Sequence, residues 1–148
     1  MKTADICNTR VVTAPANTPL TEVARLMRKN HVGSVVVVDQ ADPRKPLGIV
    51  TDRDIVVEVV AAEQDARVVT AADIMASPPV TASPGDDASW SLKVMRDRGI
   101  RRLPVVDGAG ALVGIVALDD LLSAASSTLF DVVQTIGTER VVEAAHRN

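Results

Sequence analysis

Residues 31–55, HVGSVVVVDQADPRKPLGIVTDRDI, hold two short apolar runs on either side of a polar loop. The run over 35–38 is all β-branched, too short for a helix and apolar on both faces, which predicts a buried strand. A second strand is expected over 47–50, with the loop over 39–46 between them. A helix follows from about Asp52, with Ile55, Val56, Val59 and Val60 on its buried side. Residues 99–121, GIRRLPVVDGAGALVGIVALDDL, read the same way. They predict strands over 103–106 and 112–116 and a helix over 118–125.

That match is one part of a repeat spanning most of the chain, and a repeat governs the fold wherever it occurs. An offset of 68 sets Ala4, Asp5 and Ile6 on Ala72, Asp73 and Ile74, and Val12, Thr13 and Ala14 on Val80, Thr81 and Ala82. It also sets Met27 and Arg28 on Met95 and Arg96, and Val37, Val38 and Asp39 on Val105, Val106 and Asp107. After Asp39 the offset becomes 66, because the first copy carries the longer loop QADPRKP; Gly48, Ile49 and Val50 then meet Gly114, Ile115 and Val116, and Asp54 meets Asp120.

Each copy also predicts an earlier helix. In the first, Thr18 serves as N-cap with Pro19 at the first helical position, and Leu20, Val23, Ala24 and Met27 form an apolar stripe up to Asn30. In the second, Asp86 is the cap, Ala88, Leu92 and Met95 form the stripe, and Gly99 ends the helix. Met27 and Met95 are expected in the core. The fold class is therefore α/β (α+β): two β-α-β-β-α repeats about a pseudo-twofold axis, plus a C-terminal helical tail. A unit of this size buries too little apolar surface alone, so the two are expected to pack together. The expected divisions are 1–68 for the first repeat with its linker near 63–71, 69–127 for the second, and 128–148 for the tail. In the tail Leu129, Val132, Val133 and Ile136 share a helical face interrupted by Gly137, which leaves open whether it folds back or meets a second chain.

Composition excludes several functions. The 148 residues carry 16 Lys and Arg against 19 Asp and Glu, a net charge of −3, which opposes nonspecific nucleic-acid binding. Trp90 and Phe130 are the only aromatic residues, so platforms for stacking single strands are missing. Trp90 stands where the first copy has Glu22 and marks an asymmetric contact. With one cysteine, Cys7, and two histidines, His31 and His146, neither an intrachain disulfide nor an all-protein zinc site is expected. Cys7 reads as a small buried hydrophobe. No signal-peptide pattern and no stretch near the roughly 18 apolar residues of a membrane span occur, so a cytoplasmic location is expected. There is no nucleophile with a matching base, no metal cluster and no phosphate loop of the G-x-x-x-x-G-K-[ST] kind, so no enzyme is expected.

The strings ADI, HVGSVVVVD and LGIVTDRDI, answered by ADIM, GIRRLPVVD and LVGIVALDDL, resemble the CBS-domain family in its tandem arrangement, often called a Bateman module. The resemblance covers roughly residues 3–125. It implies two clefts related by the pseudo-twofold, where adenosine-containing ligands bind, and assembly into homodimers.

Thr51 and Asp54 stand where a strand turns into a helix, beside amide groups expected to be free and attractive to anions. A carboxylate suits ribose hydroxyls, and a hydroxyl can donate to a ribose or phosphate oxygen. The same T-x-x-D spacing is also a helix-capping signature, and spacing does not separate the two readings. The second copy keeps Asp120 but has Ala117 in place of the threonine. Arg101 and Arg102 stand where the first copy has Gly33 and Ser34, and the family pattern turns basic residues there toward phosphates. The resemblance thus implies a first site from Ile49, Thr51, Asp54, Arg101 and Arg102, with a backbone edge at Val80 and Thr81 for adenine. A weaker second site uses Val12, Thr13, Ser34, Ile115 and Asp120. His31 is either a helix-end dipole partner or a wall of that second cleft, and Arg53 points to solvent or to phosphate. The function expected is a standalone regulatory module for an adenine nucleotide (AMP, ADP or ATP) or S-adenosylmethionine, signalling to an effector protein. No cofactor, metal or membrane is required. The alternative is a ligand-free dimeric interaction module.

Overall fold

The computed structural model describes residues 1–146. The first copy runs α1 (Thr3–Ile6), β1 (Thr13–Pro15), α2 (Leu20–Asn30), β2 (Ser34–Val38), β3 (Pro46–Thr51) and α3 (Asp52–Ile55), whose last turns are π-helical (Val56–Val60). The second runs α4 (Ala71–Ile74), α5 (Ala88–Arg98), β4 (Arg102–Val106), β5 (Leu112–Ala117) and α6 (Leu118–His146). In the first sheet β1 lies parallel to β2, and β2 antiparallel to β3. In the second, β4 and β5 are antiparallel, and only a single parallel bridge, Ala82 with Val105, stands in for β1. All five residues of β2 are buried, as an unbroken β-branched run requires when both faces of its sheet are covered.

The two copies are joined by contacts that come in pairs. Ile49 bridges Ala76 while Ile115 bridges Asn8, and Pro19 bridges Thr70 while Asp87 bridges Lys2. Each pair exchanges equivalent positions of the two repeats, which is the signature of a twofold relation. The start of each repeat consequently packs on the other. Ile6 and Cys7 join the core of Leu103, Val105 and Val116, whereas Ala71, Ile74 and Met75 join that of Leu20, Val23 and Val35. This close approach needs glycine: a Cβ on Gly48 would lie 2.7 Å from the Ala76 carbonyl oxygen, and one on Gly114 would lie 2.9 Å from Cys7 Sγ.

Several details differ from the sequence expectation. The N-cap of α2 is Pro19 rather than Thr18, and that of α5 is Asp87 rather than Asp86, whose carboxylate instead accepts from the Ser83 amide. On α5 Leu92 is exposed and Ser91 is buried, because Ser91 meets the Thr3 hydroxyl brought in by α1 at 3.1 Å. Ala24 is exposed on α2 while Leu26 is half-buried. On the helix after Asp52, Val59 is buried and Ile55 half-buried against the core, while Val56 and Val60 are exposed, since the π-helical turns shift the register of that face. Met27 and Met95 are buried as expected. Gly137 does not interrupt α6, along which Leu122, Leu129, Phe130, Val132, Val133 and Ile136 are exposed. Among the described residues no helix is long and apolar enough to cross a membrane.

Candidate functional site

The end of β3 and the first turn of α3 form one wall of a cavity of about 330 Å³. Ile49, Thr51, Asp52, Arg53 and Asp54 contribute from the first repeat, and Ala76, Pro78, Pro79, Val80 and 99–102 from the second. Gly99 turns the chain through a left-handed conformation at the end of α5, with φ of 64°, and thereby delivers Arg101 and Arg102 to the cavity. The paired Ile49–Ala76 hydrogen bonds, 3.2 and 3.0 Å, fix the segment 76–80 against β3.

Thr51 and Asp54 form a reciprocal cap. The Asp54 amide donates to Thr51 Oγ1 at 3.1 Å, and the Thr51 amide donates to Asp54 Oδ2 at 2.8 Å. The expectation of free amides at this turn is not met: the Asp52 amide donates to the Gly33 carbonyl and the Arg53 amide to Asp52 Oδ1. Any anion here must be held by side chains. The cap leaves Asp54 Oδ1 as an acceptor and the Thr51 hydroxyl hydrogen as a donor, at residues that line the cavity.

Of the first-site residues read from the sequence, Ile49, Thr51, Asp54, Val80, Arg101 and Arg102 line this cavity. Thr81 does not; it borders a separate depression with Arg44, Lys45 and Ala109. Successive side chains of an extended segment face opposite ways, so with Val80 at the cleft the Thr81 side chain lies outside it, which does not bear on the backbone edge expected there. Asp52, Pro78 and Pro79 are lining residues that the sequence reading missed. Prolines in an irregular segment carry no periodic signal, and Asp52 looked like an ordinary residue of the first helical turn.

The equivalent cavity, about 290 Å³, is lined by Val12, Ser34, Ile115 and Asp120, with Asn8, His31, Gly33, Asp119 and, again, Arg102 among its other walls. Thr13 is absent from it for the same reason as Thr81. His31 caps α2 through its backbone amide in a left-handed conformation, and it lines this cleft. Here the Ala117 amide donates to Asp120 Oδ2 at 2.8 Å, without the hydroxyl that completes the cap on the other side. Cys7 is half-buried beside it, and burial raises its thiol above the ordinary range, with Asp120 adding to the effect. A larger and more open depression of about 540 Å³ runs along α5 past Leu92, Met95 and Arg96 to Leu118. Ser89, Arg96 and Arg101 line it, but no carboxylate does, so it lacks the acceptor that the first cleft has in Asp54. Among the described residues no group of three His, Cys, Asp or Glu side chains could hold a metal ion.

Comparison with known proteins agrees with this architecture. The family model described as CBS domain matches twice, over residues 4–61 and 71–127. An uncharacterized protein of Methanopyrus kandleri is 39% identical over 118 residues, covering 80% of this chain and 59% of that protein. The chain thus spans less than two thirds of that relative. The CBS domain-containing protein YhcV of Bacillus subtilis is 36% identical over 117 residues, covering 79% of this chain and 80% of YhcV. Among solved structures, a CBS domain protein from Pyrobaculum aerophilum complexed with AMP has a TM-score of 0.76 at 31% identity, covering 81% of this chain and 89% of that one. The CBS domain pair of protein MJ0100, in complex with 5-methylthioadenosine and S-adenosyl-L-methionine, has a TM-score of 0.78 at 26% identity, covering 86% and 98%. With both repeats matched and joined as a pair, this chain belongs to the CBS-domain family.

Proposed function

We propose that this chain is a non-catalytic regulatory module that binds an adenine nucleotide of the AMP, ADP or ATP class in the first cleft and signals to a partner protein. The observation that carries the reading is the convergence of Thr51 and Asp54 from one repeat with Arg101 and Arg102 from the other on one cavity. Its volume of about 330 Å³ falls in the range of small-molecule sites, about 300–1,000 Å³. In this reading Asp54 Oδ1 accepts from the ribose, and the Thr51 hydroxyl donates to a ribose or phosphate oxygen. The two guanidiniums fork onto phosphate, and Ile49 and Val80 sandwich the base. The AMP complex of the Pyrobaculum relative supports it. S-adenosylmethionine is the other ligand class, supported by the MJ0100 complex. The exposed apolar residues of α6 support a homodimer, and the reading places the protein in the cytoplasm.

The test is calorimetric titration of AMP and adenosine into wild type, Asp54→Ala and Arg102→Ala. Asp54→Ala is expected to weaken both ligands by tenfold or more. Arg102→Ala is expected to weaken AMP about tenfold, since a charge-assisted hydrogen bond contributes about 1.5–3 kcal/mol, while sparing adenosine. Equal affinities in wild type and Asp54→Ala would remove Asp54 from the site. The completed Thr51–Asp54 cap favours a second reading, a ligand-free dimeric interaction module in which these residues only hold a turn. A ligand at 100 times its Kd adds about 2.7 kcal/mol to the native state, so a melting temperature unmoved by every adenosine ligand selects that reading.

A further inference from the structure

The two clefts share a guanidinium. Arg102 lines both cavities, and its Nη2 stands 3.1 Å from the point a Cβ on Gly33 would occupy. Asp52 Oδ2 lies 3.0 Å from the same point. The bare glycine leaves the passage through which the arginine crosses from one cleft to the other. Arg101 reaches the same way: its Nη2 is 3.9 Å from Oδ1 of Asp119, a wall of the second cleft.

Arg101 does not itself line the second cleft, and without Arg102 that cleft is acidic. Its own charged walls are Asp119 and Asp120, with His31 beside them, and the first repeat offers Gly33 and Ser34 where the second repeat offers Arg101 and Arg102. The first cleft sets Arg53, Arg101 and Arg102 against Asp52 and Asp54, an excess of cation. With Arg102 counted in both and His31 neutral, the second cleft still has an excess of anion.

We propose that the second cleft takes an uncharged or cationic nucleoside, and that phosphate in the first cleft tightens a cationic ligand there by drawing Arg102 and Arg101 away. The inference rests on the reading of the first cleft as a nucleotide site. A nucleotide phosphate is the stronger partner for a guanidinium, because it accepts the same paired bonds as a carboxylate and carries up to about twice the charge. Each arginine that turns toward it leaves Asp119 and Asp120 less compensated. The sign of the coupling therefore follows the charge of the second ligand. Linkage is reciprocal, so the cation tightens the nucleotide by the same factor, and two-site couplings commonly amount to roughly 5- to 150-fold.

The experiment titrates three probes of graded charge into the full chain, free and saturated with AMP. These are S-adenosylmethionine, which is cationic overall, 5′-methylthioadenosine, which is uncharged, and further AMP. Saturation is expected to tighten S-adenosylmethionine about fivefold or more, to leave methylthioadenosine nearly unchanged, and to weaken a second AMP. In Arg102→Ala, at AMP concentrations raised to saturate the variant, the S-adenosylmethionine effect is expected to shrink toward onefold. Asp120→Ala is expected to weaken S-adenosylmethionine, which assigns that ligand to the second cleft. Competition of AMP and S-adenosylmethionine for one site, no effect of AMP on the cation, or a coupling unaltered in Arg102→Ala would each overturn the inference while leaving AMP binding intact. A wild type that binds no AMP overturns the nucleotide reading itself, and this one with it.

Discussion

The first turns of α3 and α6 occupy equivalent places and close with different parts. At α3 a hydroxyl and a carboxylate each satisfy one amide, through Thr51 and Asp54. At α6 the carboxylate of Asp120 holds the Ala117 amide alone. A helix starts at both turns, so the carboxylate bond suffices to form the turn, and the Thr51 hydroxyl adds a second bond to α3 while keeping its own hydrogen to donate. The same asymmetry recurs opposite these turns, where Arg101 and Arg102 face α3 while Gly33 and Ser34 face α6. Both clefts carry two carboxylates, Asp52 and Asp54 in one and Asp119 and Asp120 in the other, and the difference lies in the cations: three arginines line the first and Arg102 alone the second.

The largest test of how alike the two halves are lies at their shared glycines. Gly48→Ala forces a Cβ to within 2.7 Å of the Ala76 backbone oxygen, which cannot rotate away. It is expected to cost about 2–3 kcal/mol, at the upper end for an overpacked site. At Gly114 the nearest atom is the Cys7 thiol at 2.9 Å, a side chain that can turn aside, and the backbone stands off at 3.3 Å. Gly114→Ala should therefore cost about 1 kcal/mol. Urea denaturation of both variants measures the difference, and equal losses would show that the two approaches relax alike.

Exchanging the caps sharpens the comparison at a smaller scale. Thr51→Ala makes α3 resemble α6 and should cost about 1 kcal/mol, whereas Ala117→Thr makes α6 resemble α3 and should gain about 0.5–1 kcal/mol. If Ala117→Thr gives no gain in thermal stability, the turn at α6 has no room for the second bond.

The smallest effect is acid-side. In the β4–β5 loop the Ala111 and Ala109 amides donate to Asp107 and hold its carboxyl below the ordinary range, with Arg44 of the first repeat adding attraction at 3.7 Å. A carboxyl depressed by folding contributes stability that is present above its unfolded value, about 3.9, and lost as the pH falls through its folded value. An NMR titration should place the Asp107 midpoint below that of an unfolded peptide, and Asp107→Asn should flatten the acid limb of stability slightly. A midpoint at the ordinary value would mean that this loop is not pinned.

Much of this was legible in the residues. The repeat offset placed β2 against β4 and β3 against β5, and six of the seven residues read for the first cleft do line it. The departures have separate causes. Thr13 and Thr81 follow Val12 and Val80 in extended chain, and a match between copies does not reveal which neighbour faces inward. Leu92 and Ser91 exchange their expected burial because α1 arrives from the far end of the chain carrying the Thr3 hydroxyl. Helical periodicity describes one helix and is silent about a distant segment. The free amides expected at α3 were occupied by local partners, Gly33 and the Asp52 side chain, whose geometry no spacing encodes.

The crossing of the repeat starts has a consequence for synthesis. As the chain leaves the ribosome, the core of Leu20, Val23 and Val35 is finished only when Ala71, Ile74 and Met75 emerge, after the whole first repeat has been made. The second core waits in the opposite sense, since Ile6 and Cys7 are made before the first repeat's strands and stay without their neighbours until Val116 appears. Each lobe therefore closes only with a segment that belongs to the other repeat, the first once Met75 is out and the second only after Val116, so neither folds within the bounds of its own repeat.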